Sequence, residues 1–419
     1  MKKIAEIRGS AFYGSIRFEY TDKGIPFIRV ADIKDLTIDK NDLVYLPEDF
    51  RKYEKQIAKI NAKWIVLSKS GATFGGIGII PEDIKICMIS RDVLGIKPKN
   101  GLLTGYLAAF LNSKYGQLQI KRSRSIQAQP HLEIKMVKEI LIPLPSKVIQ
   151  QDIAILLESA ISKRREAHQR FAQAEDMLLK LLDVNLSEIK KRTIFNTVFS
   201  DLRKSHSWSV EGHFPRYSEL LQLLKDTEYP IVNFSEVVSL SRRKINPEIE
   251  PTKKFNYIEL ANISSFGNVA CTSEFFGHSA PSRAKRLLRK GDVLIPYLSA
   301  CSENIGLVTE ELDGFVGSTG FYIATSNKFD SWFLFALLKN PIFQNQLEQK
   351  VTGTIMSSIP SKLIRETHLP VIPKKKQIEV SDEIKLAFKL KKESLKLINE
   401  ANYQIEVLMK KYQLEVEDS

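Results

Sequence analysis

The chain has 419 residues, enough for two or three domains that each bury their own core, so a single compact domain is not expected. Hydrophobic residues make up 43% of the sequence and charged residues 26%, as in soluble globular proteins, and no apolar run is long enough to cross a membrane. The formal charge of +13 favours a polyanionic partner such as nucleic acid, although a basic protein without such a partner would carry the same charge.

The start of the chain and its cysteines exclude several classes of protein. Residues 1–6 lack the apolar stretch of a signal peptide, so we expect a cytoplasmic protein. Cys87, Cys271 and Cys301 are far apart and form no CxxC pair, which argues against a zinc site and against a disulfide scaffold. The histidines show no metal-ligand spacing either, and we predict no metal in this chain.

An internal repeat organises the sequence. The strand-like segment 26–33 is echoed by 256–263 at an offset of 230, and segment 66–80 is echoed by 294–308 at an offset of 228. A proline cluster followed by Gln150 closes the first half, and a similar cluster followed by Gln377 closes the second, at an offset of 227. Such a constant spacing predicts two copies of one globular domain.

A helical pattern follows each proline cluster, with apolar residues alternately four and three positions apart. The two stripes correspond at an offset of 227, and even their basic interruptions match, Arg164 against Lys391. A long helix with one apolar stripe needs a partner in water, so we predict an antiparallel coiled coil; the alternative is that each helix packs on its own domain. The predicted interface residues are Ile153, Leu157, Ala160, Phe171, Leu178, Leu181, Val380, Ile384, Ala387, Ile398, Ile405 and Leu408.

The first half contains two candidate DNA-reading elements. One is a glycine-containing turn after an apolar strand, with Arg91 at the end of a later strand. The other is the segment 121–129, which mixes phosphate-binding cations with glutamines that can form two hydrogen bonds to adenine; a solvated basic turn is the alternative. The candidate residues are Lys69, Ser70, Thr73, Arg91, Lys121, Arg122, Arg124, Gln127 and Gln129.

Between the halves, the pattern predicts a shorter helix over 185–201 and a loop over 205–215. The predicted boundaries are 1–145 for the first globular domain, 146–206 for the first spacer helix region, 207–373 for the second domain and 374–419 for the second helix region.

The second half carries clustered cations near its start, which suit contacts with phosphate, and Arg289 and Lys290 extend the second cluster. The segment 352–358 corresponds to the basic segment of the first half but contains hydroxyl groups instead of charges, so the two halves are expected to read different DNA sequences. The candidate residues are Arg242, Arg243, Lys244, Arg283, Lys285, Arg286, Thr352, Thr354 and Ser357.

No catalytic motif is apparent. Asn340 and Pro341 resemble part of the motif that holds a flipped base in DNA methyltransferases, but they follow an apolar helical stretch, so a helix-ending turn is the favoured interpretation. The glycines between 71 and 78 are flanked by strand-like residues, and no phosphate-binding GxxxxGK[ST] loop is present. We therefore assign no catalytic residue.

Over nearly its whole length the sequence resembles the DNA-specificity subunits of type I restriction-modification systems. The segments that carry the resemblance are 24–33, 66–75, the IPLP junction before Gln150, and 211–217. Their order, duplication and spacing together are more specific than any one of them.

The resemblance implies an α+β fold with two target-recognition domains separated by two long antiparallel coiled-coil helices, related by an internal twofold repeat. It also implies a split DNA target, two DNA adenine methyltransferase subunits docked on the helices, and restriction and translocase subunits. S-adenosylmethionine, ATP and Mg are then expected on those partners, and no cofactor in this chain. The alternative is a non-catalytic coiled-coil scaffold whose basic domains bind nucleic acid without sequence specificity.

Overall fold

The computed structural model describes residues 1–11, 19–34, 36–40, 43–71, 73–122, 131–186, 189, 194–196, 211–269, 272–298, 303–351 and 358–417. The chain forms two compact units. The first consists of Met1–Glu166 together with Leu390–Ser419, and the second consists of Ala167–Lys389. Each unit therefore contains part of both long helices.

Ten strands and three short helices build the globular part of the first unit. The strands are β1 Ala5–Gly9, β2 Ile25–Ile28, β3 Ile33–Lys34, β4 Thr37–Ile38, β5 Val44–Leu46, β6 Lys59–Asn61, β7 Ile65–Ser68, β8 Ile77–Ile79, β9 Ile86–Ile89 and β10 Val93–Pro98. The helices are α1 Thr104–Asn112, α2 Lys114–Arg122 and α3 Ile134–Glu139, and the long helix α4 spans Lys147–Leu181.

The second unit repeats this plan. Its strands are β11 Ile231–Asn233, β12 Ser239–Leu240, β13 Lys254–Ile258, β14 Ser273–Phe276, β15 Ala284–Leu287, β16 Val293–Pro296, β17 Gly306–Leu307, β18 Val316–Ser318, β19 Phe321–Thr325 and β20 His368–Pro370. Its helices are α5 Pro215–Lys225, α6 Phe234–Val237, α7 Ser331–Lys339, α8 Pro341–Gln349 and α9 Ser361–Arg365, and the long helix α10 spans Lys374–Glu417.

The same two four-stranded sheets occur in both units. In the first unit the strand orders are β1-β10-β7-β8 and β5-β2-β9-β6, and in the second they are β12-β19-β16-β17 and β14-β13-β18-β15. In each unit, the two inner strands of the second sheet are parallel. These strands are β2 and β9 in the first unit, with Phe27 opposite Met88, and β13 and β18 in the second, with Tyr257 opposite Val316. The predicted internal repeat is therefore confirmed at the level of strand order.

Helices α1 and α7 lie against these sheets and are buried along almost their whole length, as their apolar sequences require. Asn340 ends α7 and caps α8: its Oδ1 accepts a hydrogen bond from the Ile342 amide at 3.0 Å, and Pro341 takes the first helical position. Both features are typical of a helix N-terminus. The predicted helix-ending turn at Asn340 and Pro341 is confirmed.

A buried glutamine joins each long helix to its globular domain. In the first unit, the Gln150 side chain accepts a hydrogen bond from the Leu103 amide at 3.3 Å and donates one to the Pro145 carbonyl at 3.0 Å. Gln377 does the same in the second unit, through the Asp330 amide at 3.2 Å and the Ile372 carbonyl at 2.8 Å. The glutamine at the repeated junction thus fixes the proline segment to the start of α1 or α7.

Within the first unit, α4 and α10 run antiparallel and share one core. The Lys163 ammonium lies 2.6 Å from the Glu393 carboxylate, and the Ser394 hydroxyl donates to the Ala160 carbonyl at 2.8 Å. Tyr412, towards the other end of α10, packs on the core that contains Tyr106 from α1. The predicted stripe residues Ile153, Leu157, Ala160, Ile398, Ile405 and Leu408 are all buried there.

The second unit holds the other part of each helix. Arg170 lies 3.3 Å from the Glu383 carboxylate, and Phe171 and Phe388 both pack on Phe266, with ring centroids 4.8 Å and 5.4 Å away. The predicted stripe residues Phe171, Leu178, Val380, Ile384 and Ala387 are buried, whereas Leu181 is half-buried and its neighbour Leu182 is buried.

The architecture agrees with the predicted class. The α+β fold with two globular units and two long antiparallel helices is confirmed. The alternative that each helix packs only on its own domain is wrong for α10, since its last part completes the core of the first unit.

Most of the predicted shorter helix over 185–201 lies outside the described residues, so it stays a prediction. Of the described residues, Leu186 has a 3-10 conformation, and residues 185, 189 and 194–196 are not helical. Just before this segment, α4 ends where Asp183 adopts a left-handed conformation with φ of 51° and the Val184 amide donates a hydrogen bond to the Leu179 carbonyl at 3.0 Å. A left-handed residue with this bond is a common helix terminator.

We expect Gln150→Met to lower the free energy of unfolding of the first unit by about 1 to 3 kcal/mol, because methionine leaves the Leu103 amide and the Pro145 carbonyl unsatisfied. Urea unfolding followed by circular dichroism measures the change. Gln151→Met is the matched control, because Gln151 is exposed on the same helix and should change stability by less than about 0.5 kcal/mol. Equal stability of Gln150→Met and the unchanged chain would contradict the bridging role.

Candidate nucleic-acid interface

The glycine-containing turn of the first unit links β7 to β8 and closes on itself. The Ser68 amide donates to the Gly76 carbonyl at 2.9 Å, and the Gly75 amide donates to the Ser68 carbonyl at 2.9 Å. Gly71 and Gly75 have φ values of +79° and +83°, which side chains other than glycine rarely tolerate. The turn therefore presents Lys69, Ser70 and Thr73 at the end of a buried strand.

Asp92 organises the predicted DNA-contacting residues around this turn. Its Oδ1 accepts a hydrogen bond from the Ser70 hydroxyl at 2.7 Å, its Oδ2 lies 3.4 Å from Arg91 Nε, and its carbonyl accepts from the Lys69 amide at 2.9 Å. Burial lowers the pKa of Lys69, and the charge of Asp92 opposes that shift. Three residues predicted from the sequence, Lys69, Ser70 and Arg91, thus all contact Asp92.

The predicted basic segment begins and ends beside the same turn. Lys121 and Arg122 are exposed at the end of α2, which is tied to the turn by a 2.9 Å hydrogen bond from the Gln117 side chain to the Gly75 carbonyl. After the segment, the Leu132 amide donates to the Lys69 carbonyl at 3.0 Å. The other predicted residues of this segment, Arg124, Gln127 and Gln129, lie outside the described residues.

In the second unit, two basic segments distant in sequence come together. Lys244 and Arg286 form an antiparallel bridge, and the Ile245 amide donates to the Lys285 carbonyl at 3.3 Å. The cations that are exposed there, which we call the basic cluster, are Arg242, Lys244, Arg283 and Lys285. Within the described parts of the chain, none of these four forms an ion pair with a carboxylate.

Arg243 has a different environment from its neighbours. Its guanidinium forms an ion pair with Asp292, which is 2% exposed, and its Nε donates to the Ser241 hydroxyl at 3.0 Å. Burial raises the pKa of Asp292, and the charge of Arg243 opposes this shift. Arg243 therefore has a structural partner as well as its predicted role in DNA contact.

Arg289 and Lys290 also have acidic partners, and these partners are distant from them in the sequence. Arg289 lies 3.4 Å from Asp313, and Lys290 lies 2.8 Å from Glu310. These ion pairs make them weaker phosphate ligands than the four residues of the basic cluster.

The second unit has the backbone layout of the first at the corresponding turn. The Tyr297 amide donates to the Gly320 carbonyl at 2.8 Å, which corresponds to the hydrogen bond from Lys69 to Asp92 in the first unit. The Ile359 amide donates to the Tyr297 carbonyl at 3.0 Å, which corresponds to the hydrogen bond from Leu132 to Lys69. Thr352, Thr354 and Ser357 lie outside the described residues. The sequence interpretation missed Tyr297 and Asp92, although the offset of 228 already aligns Tyr297 with Lys69.

The described residues contain no group of three or more His, Cys, Asp or Glu side chains that could hold a metal ion. Cys87 is buried, and burial raises the pKa of its thiol to about 12. In the same part of the chain, no helix is both long and apolar enough to span a membrane.

Comparison with known proteins finds one family model and several similar proteins. Residues 2–173 match the family model described as type I restriction modification DNA specificity domain. The EcoBI specificity subunit of Escherichia coli is 31% identical over 155 residues, a match covering 37% of this chain and 30% of that subunit. The MjaVIII specificity subunit of Methanocaldococcus jannaschii is 21% identical over 385 residues, covering 89% of this chain and 79% of that subunit.

A solved type I restriction-modification S subunit from M. genitalium matches with a TM-score of 0.42 and 14% identity, covering 97% of this chain and 92% of that chain. Residues 2–173 thus match a type I specificity domain, and the chain as a whole is similar to type I restriction-modification specificity subunits.

Proposed function

We propose that the chain reads a split DNA target for a type I restriction-modification enzyme, one half-site with each globular unit. The observation that supports this proposal is that the two units share one fold but carry different side chains at equivalent positions. The strand orders of the two units are the same, but Lys69 and its Asp92 contacts in the first unit are replaced by Tyr297 and Gly320 in the second. Two different side-chain sets at equivalent places favour two different half-sites.

The charge distribution supports double-stranded DNA as the ligand. The chain carries a formal charge of +13, and the basic cluster of the second unit presents cations without acidic partners in the described residues. Such cations displace counterions from phosphates and provide binding energy that does not depend on sequence. Selectivity must then come from contacts with base edges beside them.

The long helices supply a surface for the methyltransferase subunits in this proposal. In the first unit, α4 exposes Val148 and Ile155, and α10 exposes Leu395, Tyr403 and Val407. Large apolar side chains left in water along one helix pair are a common feature of protein interfaces. Two adenine methyltransferase subunits would dock on such surfaces, and restriction and translocase subunits would join the complex through them.

The chain itself has no catalytic role in this proposal. Asn340, the best sequence candidate for a base-binding motif, is buried as the cap of α8 and holds the Ile342 amide. S-adenosylmethionine, ATP and Mg would therefore bind to the partner subunits.

We expect selection from a random DNA library, with the full chain alone or copurified with its methyltransferase subunits, to enrich a consensus of two unlike blocks split by a fixed gap. Sequencing of the bound DNA measures it. Binding should also weaken steeply with salt, because phosphate contacts release counterions. Salt-dependent binding without any enriched sequence would instead favour the alternative, a scaffold without sequence specificity.

Arg242 and Arg243 should separate DNA contact from folding. We expect Arg242→Ala to weaken DNA binding at all sequences while stability changes by less than about 0.5 kcal/mol, because Arg242 is exposed. Arg243→Ala should lower the free energy of unfolding at pH 7 by about 2 kcal/mol, less than for a fully buried pair because the Arg243 side chain is 34% exposed. Chemical unfolding and DNA titration of both variants measure the two effects.

The loss in Arg243→Ala should depend on pH. The raised pKa of Asp292 means that its ionisation costs folding free energy as pH rises above the ordinary carboxyl range, and removing Arg243 raises this pKa further. The difference in stability between Arg243→Ala and the unchanged chain should therefore shrink as the pH falls from 7 towards about 4. A pH-independent difference would contradict the role assigned to the Arg243–Asp292 pair.

A further inference from the structure

Lys69 and Tyr297 occupy the same place in the two units. Each follows the last residue of a buried central strand, β7 or β16. Each is held by two backbone hydrogen bonds, one from its own amide and one to its carbonyl, with lengths that agree within 0.1 Å between the units. The main chain is therefore fixed at this point, and the units differ in the side chain that they present.

Tyr297 packs against a neighbouring ring and remains partly exposed. Its ring packs against Tyr322 with centroids 5.7 Å apart, and the Tyr322 hydroxyl donates to the Ile359 carbonyl at 2.9 Å. Tyr297 nevertheless remains 40% exposed. Part of Tyr297 is therefore accessible to a ligand, while its ring is held against Tyr322.

The surroundings of Tyr297 favour an anionic ligand. Arg286 lies close enough to Tyr322 for its charge to lower the pKa of that phenol, against the larger effect of burial. The same arginine bridges to Lys244 of the basic cluster. DNA drawn to the basic cluster by its phosphates would thus bring its base edges near Tyr297.

Resting on the proposed function, we infer that Tyr297 contacts a base of the half-site read by the second unit and helps to determine its sequence, and that Lys69 has the corresponding role in the first unit. The chemistry of the two side chains differs. A lysine ammonium only donates hydrogen bonds and suits the acceptors of guanine. A phenol both donates and accepts, and its ring gives apolar contact, so it suits other base edges.

The test compares Tyr297→Lys, Tyr297→Ala and the unchanged full chain, with or without copurified methyltransferase subunits, by selection from a random DNA library. Phe276→Lys is the matched control, because Phe276 is also an exposed aromatic residue of the second unit but lies on β14, and the substitution adds the same charge. Thermal unfolding of each protein verifies folding. If Tyr297→Lys proves unfolded because lysine disturbs the packing on Tyr322, the consensus of Tyr297→Ala decides the test.

We expect Tyr297→Lys to change the preferred base at one or two positions of a single half-site by about 5- to 150-fold. Tyr297→Ala should lose preference at those positions, while the other half-site and the Phe276→Lys consensus stay unchanged. A folded Tyr297→Ala with the original consensus overturns the inference, even if affinity falls equally at all sequences. A chain that enriches no split consensus before any substitution refutes the proposed function instead.

Discussion

Ile398, Ala401 and Ile405 of α10 are buried in the same core as Ile153 and Leu157 of α4, although the whole second unit lies between them in the sequence. Each fully buried large aliphatic side chain stabilises the folded state by about 1.5 to 3 kcal/mol, so this set is comparable with the net stability of an ordinary domain. The first unit therefore depends on the end of the chain. The second unit likewise depends on the later part of α4, through Phe171 and its packing on Phe266.

This sharing of helices leaves the recognition surfaces free to differ. Buried groups, including Gln150 and Gln377, hold the same junction in both units through equivalent hydrogen bonds. At the turn after the central strand, the main chain is likewise held in the same way in both units, while the side chain changes from Lys69 to Tyr297. Different base preferences then need no change in the scaffold, which is the physical basis of the proposed split target.

The sequence predicts the parts of the structure that depend on periodicity. The offset of 227 places both helices and both glutamine junctions, because a stripe and its partner must share one register. Partners that are distant in sequence are not predictable in this way: the Arg243–Asp292 ion pair and the Asp92 contacts arise only when strands come together. The end of the first long helix is also hard to predict, because the left-handed residue there is Asp183 and not the glycine or asparagine that usually signals a helix end.

The most direct test of the account is a chain in which residues 230–373 are replaced by a second copy of residues 1–146, because the account holds that two units with one scaffold read DNA independently. Both segments end at a proline cluster and enter their helix through an equivalent glutamine, so the junction is conserved. Library selection with a folded chimaera should enrich the first half-site twice, with the second half-site lost. Continued enrichment of the original second half-site, or of no repeated block, would contradict the account.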